Sequence, residues 1–266
     1  MMPLHAILFD VDGTLVDTEE LHRRAFNQAF LEFELGWDWT PDIYAGLLKI
    51  SGGAERIGHY VESLSVSPLL KSRLRRIVPT IHGEKTRIYG DLLGGHMVRL
   101  QPGVGRLIKD ARAAGIRIGL AATSASDNIQ PLVMAAFGPA AKSMIDVIVC
   151  ADLVSKKKPA PDIYRLLLSM LGVCASDAVA LEDSTNGVAA AKAAGLVTIA
   201  VASRWTQEQD LSQADLRLSS LGDPDSPLPP DERVAIGGAP FLGLAQIAEI
   251  LQRSVAADGR QRAAIQ

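Results

Sequence analysis

Two short apolar runs that each end in acidic residues constrain this chain more than any other feature. Ala6-Ile7-Leu8-Phe9 is too short for an ordinary helix and apolar enough for a strand buried on both faces, and it leads into Asp10-Val11-Asp12-Gly13-Thr14. Two carboxylates two residues apart on extended backbone point the same way, so a strand end aims both at one spot. One could then attack while the other moves protons. Gly13 lets the chain turn sharply away, and Thr14 sets a hydroxyl beside the acids. Standing alone, the pentad also reads as a solvated Asp-rich turn capping a helix. Far along the chain, however, Ala178-Val179-Ala180-Leu181 is a second strand of the same kind, and it ends in Glu182-Asp183-Ser184 with Gly187 just beyond.

The carboxyl ends of strands in an open parallel sheet converge on one edge, where ligands bind. Carboxylates gathered there repel one another unless a cation sits among them. A hard divalent ion that takes oxygen ligands, keeps waters and binds a phosphate oxygen is the magnesium pattern. Between the acidic motifs stands Lys158-Pro159-Ala160-Pro161-Asp162. A lysine held before a stiff turn there would neutralise a nucleophilic carboxylate and a phosphate together.

Strand and helix patterns alternate through most of the chain. The strand at 5–10 precedes a helical stretch from Glu19 to Phe33, whose apolar face is made of Leu21, Ala25, Phe26, Ala29, Phe30 and Phe33. From there to about Gly94 the pattern stays helical, punctuated by Pro68 and Pro79. Gly94-Gly95 and Gln101-Pro102-Gly103 mark a second break. Beyond it, strands are expected at Ile116 to Ala122, Ile145 to Cys150, Ala178 to Leu181 and Val197 to Val201, with helices around 103–114, 127–137, 161–171 and 186–194. Such alternation means an α/β fold with a doubly wound parallel sheet. The core is expected to comprise residues 1–15 and 98–254, interrupted by an inserted helical cap at 16–97. Gly222 to Asp231 reads as a polar, proline-rich loop, Phe241 to Leu251 as a last docking helix, and 255–266 as a frayed tail.

Composition serves mainly to exclude. The 266 residues, 48% of them hydrophobic, suffice for one sizeable core and a smaller domain. A formal net charge of −3 with no basic stripe argues against nucleic acid. No apolar run is long enough to span a membrane. Met1-Met2-Pro3-Leu4-His5 runs straight into the first strand with no targeting segment, so a cytoplasmic protein is expected, and a monomer. Cys150 and Cys174 sit in apolar surroundings and read as buried free thiols, in keeping with a reducing cytosol.

The three motifs, in this order and spanning about residue 4 to about residue 220, resemble those of the haloacid dehalogenase superfamily of aspartate-nucleophile phosphatases and phosphomutases. The insertion directly after the first strand resembles that superfamily's four-helix cap group. The resemblance implies that Asp10 attacks phosphorus, that Asp12 serves as general acid and base, and that Lys158 steadies the phosphoryl charge. It implies magnesium held by Asp10, Asp12 through its backbone carbonyl, and Asp183, with Glu182 as a ligand or close behind. A hydroxyl and a backbone N–H are expected after the strand Ile116 to Ala122 to cradle the phosphate. Ala122 stands where the family usually shows Ser or Thr, so Thr123 supplies the nearest hydroxyl and Ser124 the N–H. Asn128 either reaches a substrate hydroxyl or belongs to a helix start around Ser126-Asp127.

In such hydrolases the cap reads the leaving group and closes over the site. Glu19 and His22 follow the hinge Asp17-Thr18 and are candidates for that role. Gly52 and Gly53 let backbone approach a ligand, Arg56 can fork onto a second phosphate, and Lys85 stands where related caps carry another phosphate-binding lysine. More narrowly, the stretch from Glu19 to Phe26, the segment Gly52-Gly53-Ala54-Glu55-Arg56-Ile57, and Lys157-Lys158-Pro159 with Asp162-Ile163-Tyr164-Arg165 resemble the CbbY-like group. That group is associated with carbon fixation, and the resemblance implies a small phosphorylated sugar, xylulose-1,5-bisphosphate, as substrate. The group usually has lysine after the paired glycines, where this chain has Ala54; Lys49 is the candidate to supply the missing charge. Lys156 and Lys157 read as solvated loop residues. A β-phosphoglucomutase would share nearly every residue named, and a phosphoglycolate phosphatase is the next rival, although two cap cations favour a doubly charged substrate. A receiver-type signalling module also combines acids, a lysine and a hydroxyl on a parallel sheet, but the inserted cap argues against it.

Overall fold

The computed structural model describes residues 4–94 and 98–263, with side chains through residue 256. Strand β1 (Ala6–Asp10) is followed by four helices, α1 (Glu19–Glu32), α2 (Pro41–Leu47), α3 (Gly53–Ser63) and α4 (Pro68–Gly94). Alternation then resumes with α5 (Val104–Ala113), β2 (Arg117–Ala122), α6 (Ser126–Phe137), α7 (Ala141–Met144), β3 (Val147–Cys150), α8 (Asp162–Leu171), β4 (Ala178–Glu182), α9 (Thr185–Ala193) and β5 (Val197–Val201). A short β6 (Leu216–Leu218), α10 (Pro230–Ala235) and α11 (Leu244–Ala263) complete the chain.

The strands form one parallel sheet in the order β3-β2-β1-β4-β5-β6. Every residue of β1, β4 and β5 is buried, which explains why these runs are apolar throughout rather than alternating. Side chains on the two faces enter different layers. Ile7 and Phe9 pack with α5, α6 and α11, whereas Ala6 and Leu8 pack with Tyr164, Leu167 and Leu171 of α8 and with Ala190 and Ala191 of α9. The strand order reverses between β1 and β4, the point where such sheets open a crevice at their carboxyl edge. Because Phe9 lies opposite Leu181, Asp10 and Glu182 emerge side by side at that crevice.

The inserted helices add an aromatic cluster that is continuous with the apolar layer on the sheet. Phe26 and Phe30 of α1 hold Trp39 between them, with ring centroids 4.7 and 4.8 Å away, and Ile81, Ile88 and Tyr89 of α4 complete the cluster. Pro68 opens α4, where its missing N–H is harmless, but Pro79 lies inside the helix instead of ending it. The apolar stripe of Leu74, Val78, Ile81, Ile88 and Leu93 packs on both sides of the proline and carries the helix through it.

Other expectations are corrected. Cys150 is buried, but Cys174 is exposed, because it stands in the turn between α8 and β4 and not in a strand; both are free. Helix α11 continues into the expected tail as far as Ala263. Strand β6 and the short α10, which begins within the proline-rich loop, were not anticipated. Met1-Met2-Pro3, Gly95 and residues 264–266 lie outside the described residues. No helix among the described residues is long and apolar enough to cross a membrane.

The tight packing of β2 under α8 yields a test. A Cβ on Gly119 would stand 3.0 Å from a methyl of Leu167 and 3.0 Å from one of Leu8. Gly119→Val is expected to destabilise the protein by about 1–3 kcal/mol, the usual scale of overpacking. Urea unfolding measures it, and an unshifted midpoint would contradict this packing.

Candidate active site

The crevice centres on a buried ammonium. Lys158, held in the turn before α8, places its Nζ 2.7 Å from Asp10 Oδ1, 2.6 Å from Glu182 Oε1 and 3.1 Å from the Ala121 carbonyl oxygen, so all three N–H donors are engaged. The Tyr164 hydroxyl donates to the same oxygen of Glu182. Burial by itself favours the neutral amine, but Asp10 and Glu182 outweigh it and keep Lys158 protonated well above the usual lysine range. Two glycines make room for the acids. Gly13, at φ +93°, brings its backbone where a Cβ would strike the Asp183 carboxylate, and a Cβ on Gly187 would strike that of Glu182.

Asp10, Glu182 and Asp183 bring carboxylate oxygens within 4.8 Å of one another, all buried. One lysine does not balance three such acids. Burial pushes the Asp10 carboxyl up to about 8 despite the pull of Lys158, with Glu182 and Asp12 adding to the rise. Burial and the charges of Asp10 and Glu182 likewise raise Asp183 well above the carboxylate range. An all-oxygen cluster short of positive charge, in which two acids resist ionisation until a cation arrives, fits a hard divalent ion. The Thr206 hydroxyl, 3.1 Å from Asp183 Oδ2, fixes one of these groups from the loop after β5.

Asp12 faces a different environment. Its Oδ1 accepts from the Thr18 hydroxyl and lies 3.2 Å from His22 Nε2, while its Oδ2 is 3.3 Å from Ser124 Oγ. The carboxylate is thus turned toward α1 and away from the acidic cluster, and only its backbone could serve a metal there. Behind His22, Lys85 Nζ lies 2.6 Å from Nδ1. The ammonium donates to Nδ1, so Nε2 carries the ring proton and donates to Asp12. His22 stacks on Tyr89 at 4.0 Å, and Lys85 sits over the rings of Phe26 and Tyr89. Burial works to raise Asp12, but His22, Thr18 and Lys85 together hold it below the usual range. Lys85 is pushed down to about 7, chiefly by burial and against the pull of Asp12.

Two cavities meet above these groups. The larger, about 170 Å³, is lined by Asp12, Glu19, His22, Gly52, Gly53, Arg56, His82, Lys85, Thr123, Ser124, Asn128 and Lys157. The smaller, about 50 Å³, covers Asp10, Lys158, Asp183, Asn186 and Thr206 and shares Thr123, Glu19 and Arg56 with the first. Helix α6 starts at Ser126, as one of the two readings of Asn128 expects, and Asn128, buried in its first turn, also lines the cavity. Arg56 reaches the cavity wall with three of its five N–H donors engaged: Nε to Leu47 O at 3.2 Å, Nη2 to Ile50 O at 3.3 Å and Nη1 to the Tyr44 hydroxyl at 3.3 Å. That hydroxyl donates in turn to Glu19 Oε2 at 2.6 Å.

Lys49 is the candidate that the fold leaves out. Its backbone carbonyl is tied to Asn186 Nδ2 at 2.8 Å, and Leu48 takes the side of the chain that faces the site. Its exposed side chain lines a separate cavity of about 440 Å³ with Arg204 and Trp205. Three contributors went unassigned from sequence. Thr18 lay in the hinge, Tyr164 sat unremarked in the motif after Lys158, and Lys157 passed for a solvated residue although it bonds Glu55 of α3. For Tyr164 a signal existed, a tyrosine in the first turn of the helix that follows the lysine.

The family model of haloacid dehalogenase-like hydrolases matches residues 4–195. The chain belongs to that family. It is 42% identical over 220 residues to a CbbY protein of Cereibacter sphaeroides, covering 83% of this chain and 94% of the relative. It is 38% identical over 226 residues to the plasmid CbbY of Cupriavidus necator, covering 85% and 89%. A solved mutant CbbY from Rhodobacter sphaeroides, in complex with xylulose-1,5-bisphosphate, matches with TM-score 0.74 and 42% identity over 82% of this chain and 94% of that one. With these likenesses the chain is a phosphatase of the haloacid dehalogenase type within the CbbY-like group.

Lys85 gives the site a pH signature. The charges facing it are Asp12, Glu19 and Arg56, beside the His22 ring. Its pKa is about 7 folded and near 10.5 unfolded, so the unfolded chain binds more protons between those values and stability rises with pH across that window. Relative to Lys85→Met, the wild type is expected to gain about 2–3 kcal/mol of unfolding free energy between neutral pH and pH 9.5. Parallel urea-unfolding stabilities at the two pH values would contradict the assignment.

Proposed function

We propose that the protein is a magnesium-dependent phosphatase that removes phosphate from xylulose-1,5-bisphosphate through a phospho-aspartate on Asp10. The reading is of a cytoplasmic monomer with a core of residues 1–15 and 98–254 and a cap of residues 16–97. The observation that carries it is the division of labour between two acids on one strand end: Asp10 bound to Lys158, and Asp12 bound to Thr18 and His22.

In this reading Asp10 attacks phosphorus in line, and Asp12 protonates the departing sugar oxygen. Asp12 receives its proton from His22 Nε2 as the Lys85 ammonium passes one to Nδ1, and the proton taken later from water returns by the same path. Water then attacks the phospho-aspartate, Asp12 takes the water's proton, and phosphate and the Asp10 carboxylate are released. Lys158, fixed by Glu182 and Tyr164, stays charged throughout and faces the phosphoryl oxygens. Thr123 and Ser124 cradle the phosphate from the end of β2. Asp10, Asp183 and the Asp12 backbone carbonyl are the residues that would hold magnesium, with Glu182 behind them, and the ion would supply charge stabilisation to the phosphoryl group. Glu19, His22, Gly52, Gly53, Arg56, Lys85 and Asn128 line the space for the sugar. The CbbY structure in complex with this bisphosphate supports the choice of substrate.

The direct test is phosphate release from a panel of sugar phosphates with magnesium. The bisphosphate should lead the panel and EDTA should silence the reaction. Asp10→Ala should abolish turnover, and Asp12→Ala should lower kcat by about 10²–10⁴ with little change in KM. Interconversion of hexose phosphates without phosphate release would replace this reading with a mutase, and full activity without metal would remove the role given to the acidic cluster.

A further inference from the structure

If the substrate carries a second phosphate, the structure must offer that group a cation, and the obvious positions are unsuited. Position 54, directly after the paired glycines, is alanine. Lys49 lines another cavity, Arg56 is held over the Phe26 and Tyr44 rings with three of its five donors on two carbonyls and a tyrosine, and Lys85 is only 4% exposed behind His22.

Lys157 is differently placed. It precedes Lys158 in the same core turn, yet the two side chains diverge: Lys158 is buried against Asp10, while Lys157 lines the larger cavity opposite Ser124, Asn128, Gly52 and Gly53. Its Nζ bonds Glu55 Oε1, from the first turn of α3, with the two side chains 37% and 46% exposed. A pair so exposed is weak and is readily exchanged for another anion. The glycines leave the space these groups occupy. A Cβ on Gly52, at φ +96°, would strike the Glu55 carboxylate and stand 2.9 Å from Lys157 Nζ, and one on Gly53 would stand 2.5 Å from His82 Nε2.

We infer that Lys157 is the cation that recognises the substrate's second phosphate, and that Glu55 occupies it until the substrate displaces the carboxylate. Adjacent lysines then serve the two ends of one molecule, Lys158 at the reacting phosphate and Lys157 at the distal one. The charge absent at position 54 comes from the core rather than the cap. Glu55 leaves as the phosphate enters, so its carboxylate does not stay to oppose the phosphate at Lys157. This inference rests on the bisphosphate reading above.

The test is the selectivity ratio, kcat/KM on xylulose-1,5-bisphosphate divided by kcat/KM on p-nitrophenyl phosphate, for wild type, Lys157→Met, Lys157→Arg and Glu55→Gln. Lys157→Met should lower the ratio by about ten- to thirtyfold, the scale of an ionic contact of partial exposure, mainly through KM on the bisphosphate. Lys157→Arg should restore most of it. Glu55→Gln removes the competing carboxylate and should raise the ratio by lowering that same KM. If Lys157→Met keeps the wild-type ratio, the inference is overturned while the bisphosphate reading stands. If Glu55→Gln and Lys157→Met depress both substrates equally, the pair is only a strut between cap and core, and the inference again fails. A wild type with no preference for the bisphosphate overturns the functional reading, and this inference with it.

Discussion

An ammonium shared between two buried carboxylates is the constraint around which this protein is arranged. Lys158 cannot be inserted between Asp10 and Glu182 unless β1 and β4 are neighbours, in register, with both acids at their carboxyl ends. Neither acid tolerates burial without the lysine, and losing one partner of such a group costs about 3–5 kcal/mol in comparable cases. Tyr164 saturates the shared oxygen of Glu182, which locks the lysine in place from α8. The reversal of strand order between β1 and β4 then opens the crevice directly over the charged groups.

The same region separates the characters of two acids that sequence places two residues apart. Burial, helped by Glu182 and Asp12, makes Asp10 resist ionisation despite Lys158; Asp12, equally buried, has His22, Thr18 and Lys85 to hold it ionised. Opposed environments of this kind are how one site assigns different tasks to like groups. The donors to Asp12 come from Thr18 and His22, at the start of the inserted helices, so those helices complete the surroundings of this carboxylate.

Much of this was legible in sequence because the strongest constraints are local. The runs before Asp10 and Glu182 are apolar at every position, the mark of strands covered on both faces, and five of the six strands follow from that pattern. Strand β6 did not, since Leu216-Arg217-Leu218 is three residues at a sheet edge, too short for any period to show. Pro79 misled because side-chain packing along α4 outweighs the local preference of proline. Exposed charges were least legible. Lys49 and Lys157 look alike in sequence, and only the fold shows that one faces away and the other meets Glu55, a residue 102 positions distant. Cys174 likewise borrowed a buried character from apolar neighbours that turn inward while it does not.

In the proposed reaction Asp10 is the group that carries the phosphoryl moiety. Acid quenching of the enzyme during turnover of the bisphosphate, followed by peptide mass mapping, examines this directly. It should find a single phosphoryl group on the peptide containing Asp10, at the carboxylate that Lys158 holds. A phosphoryl group on another residue, or product release with none ever bound to the protein, would contradict it.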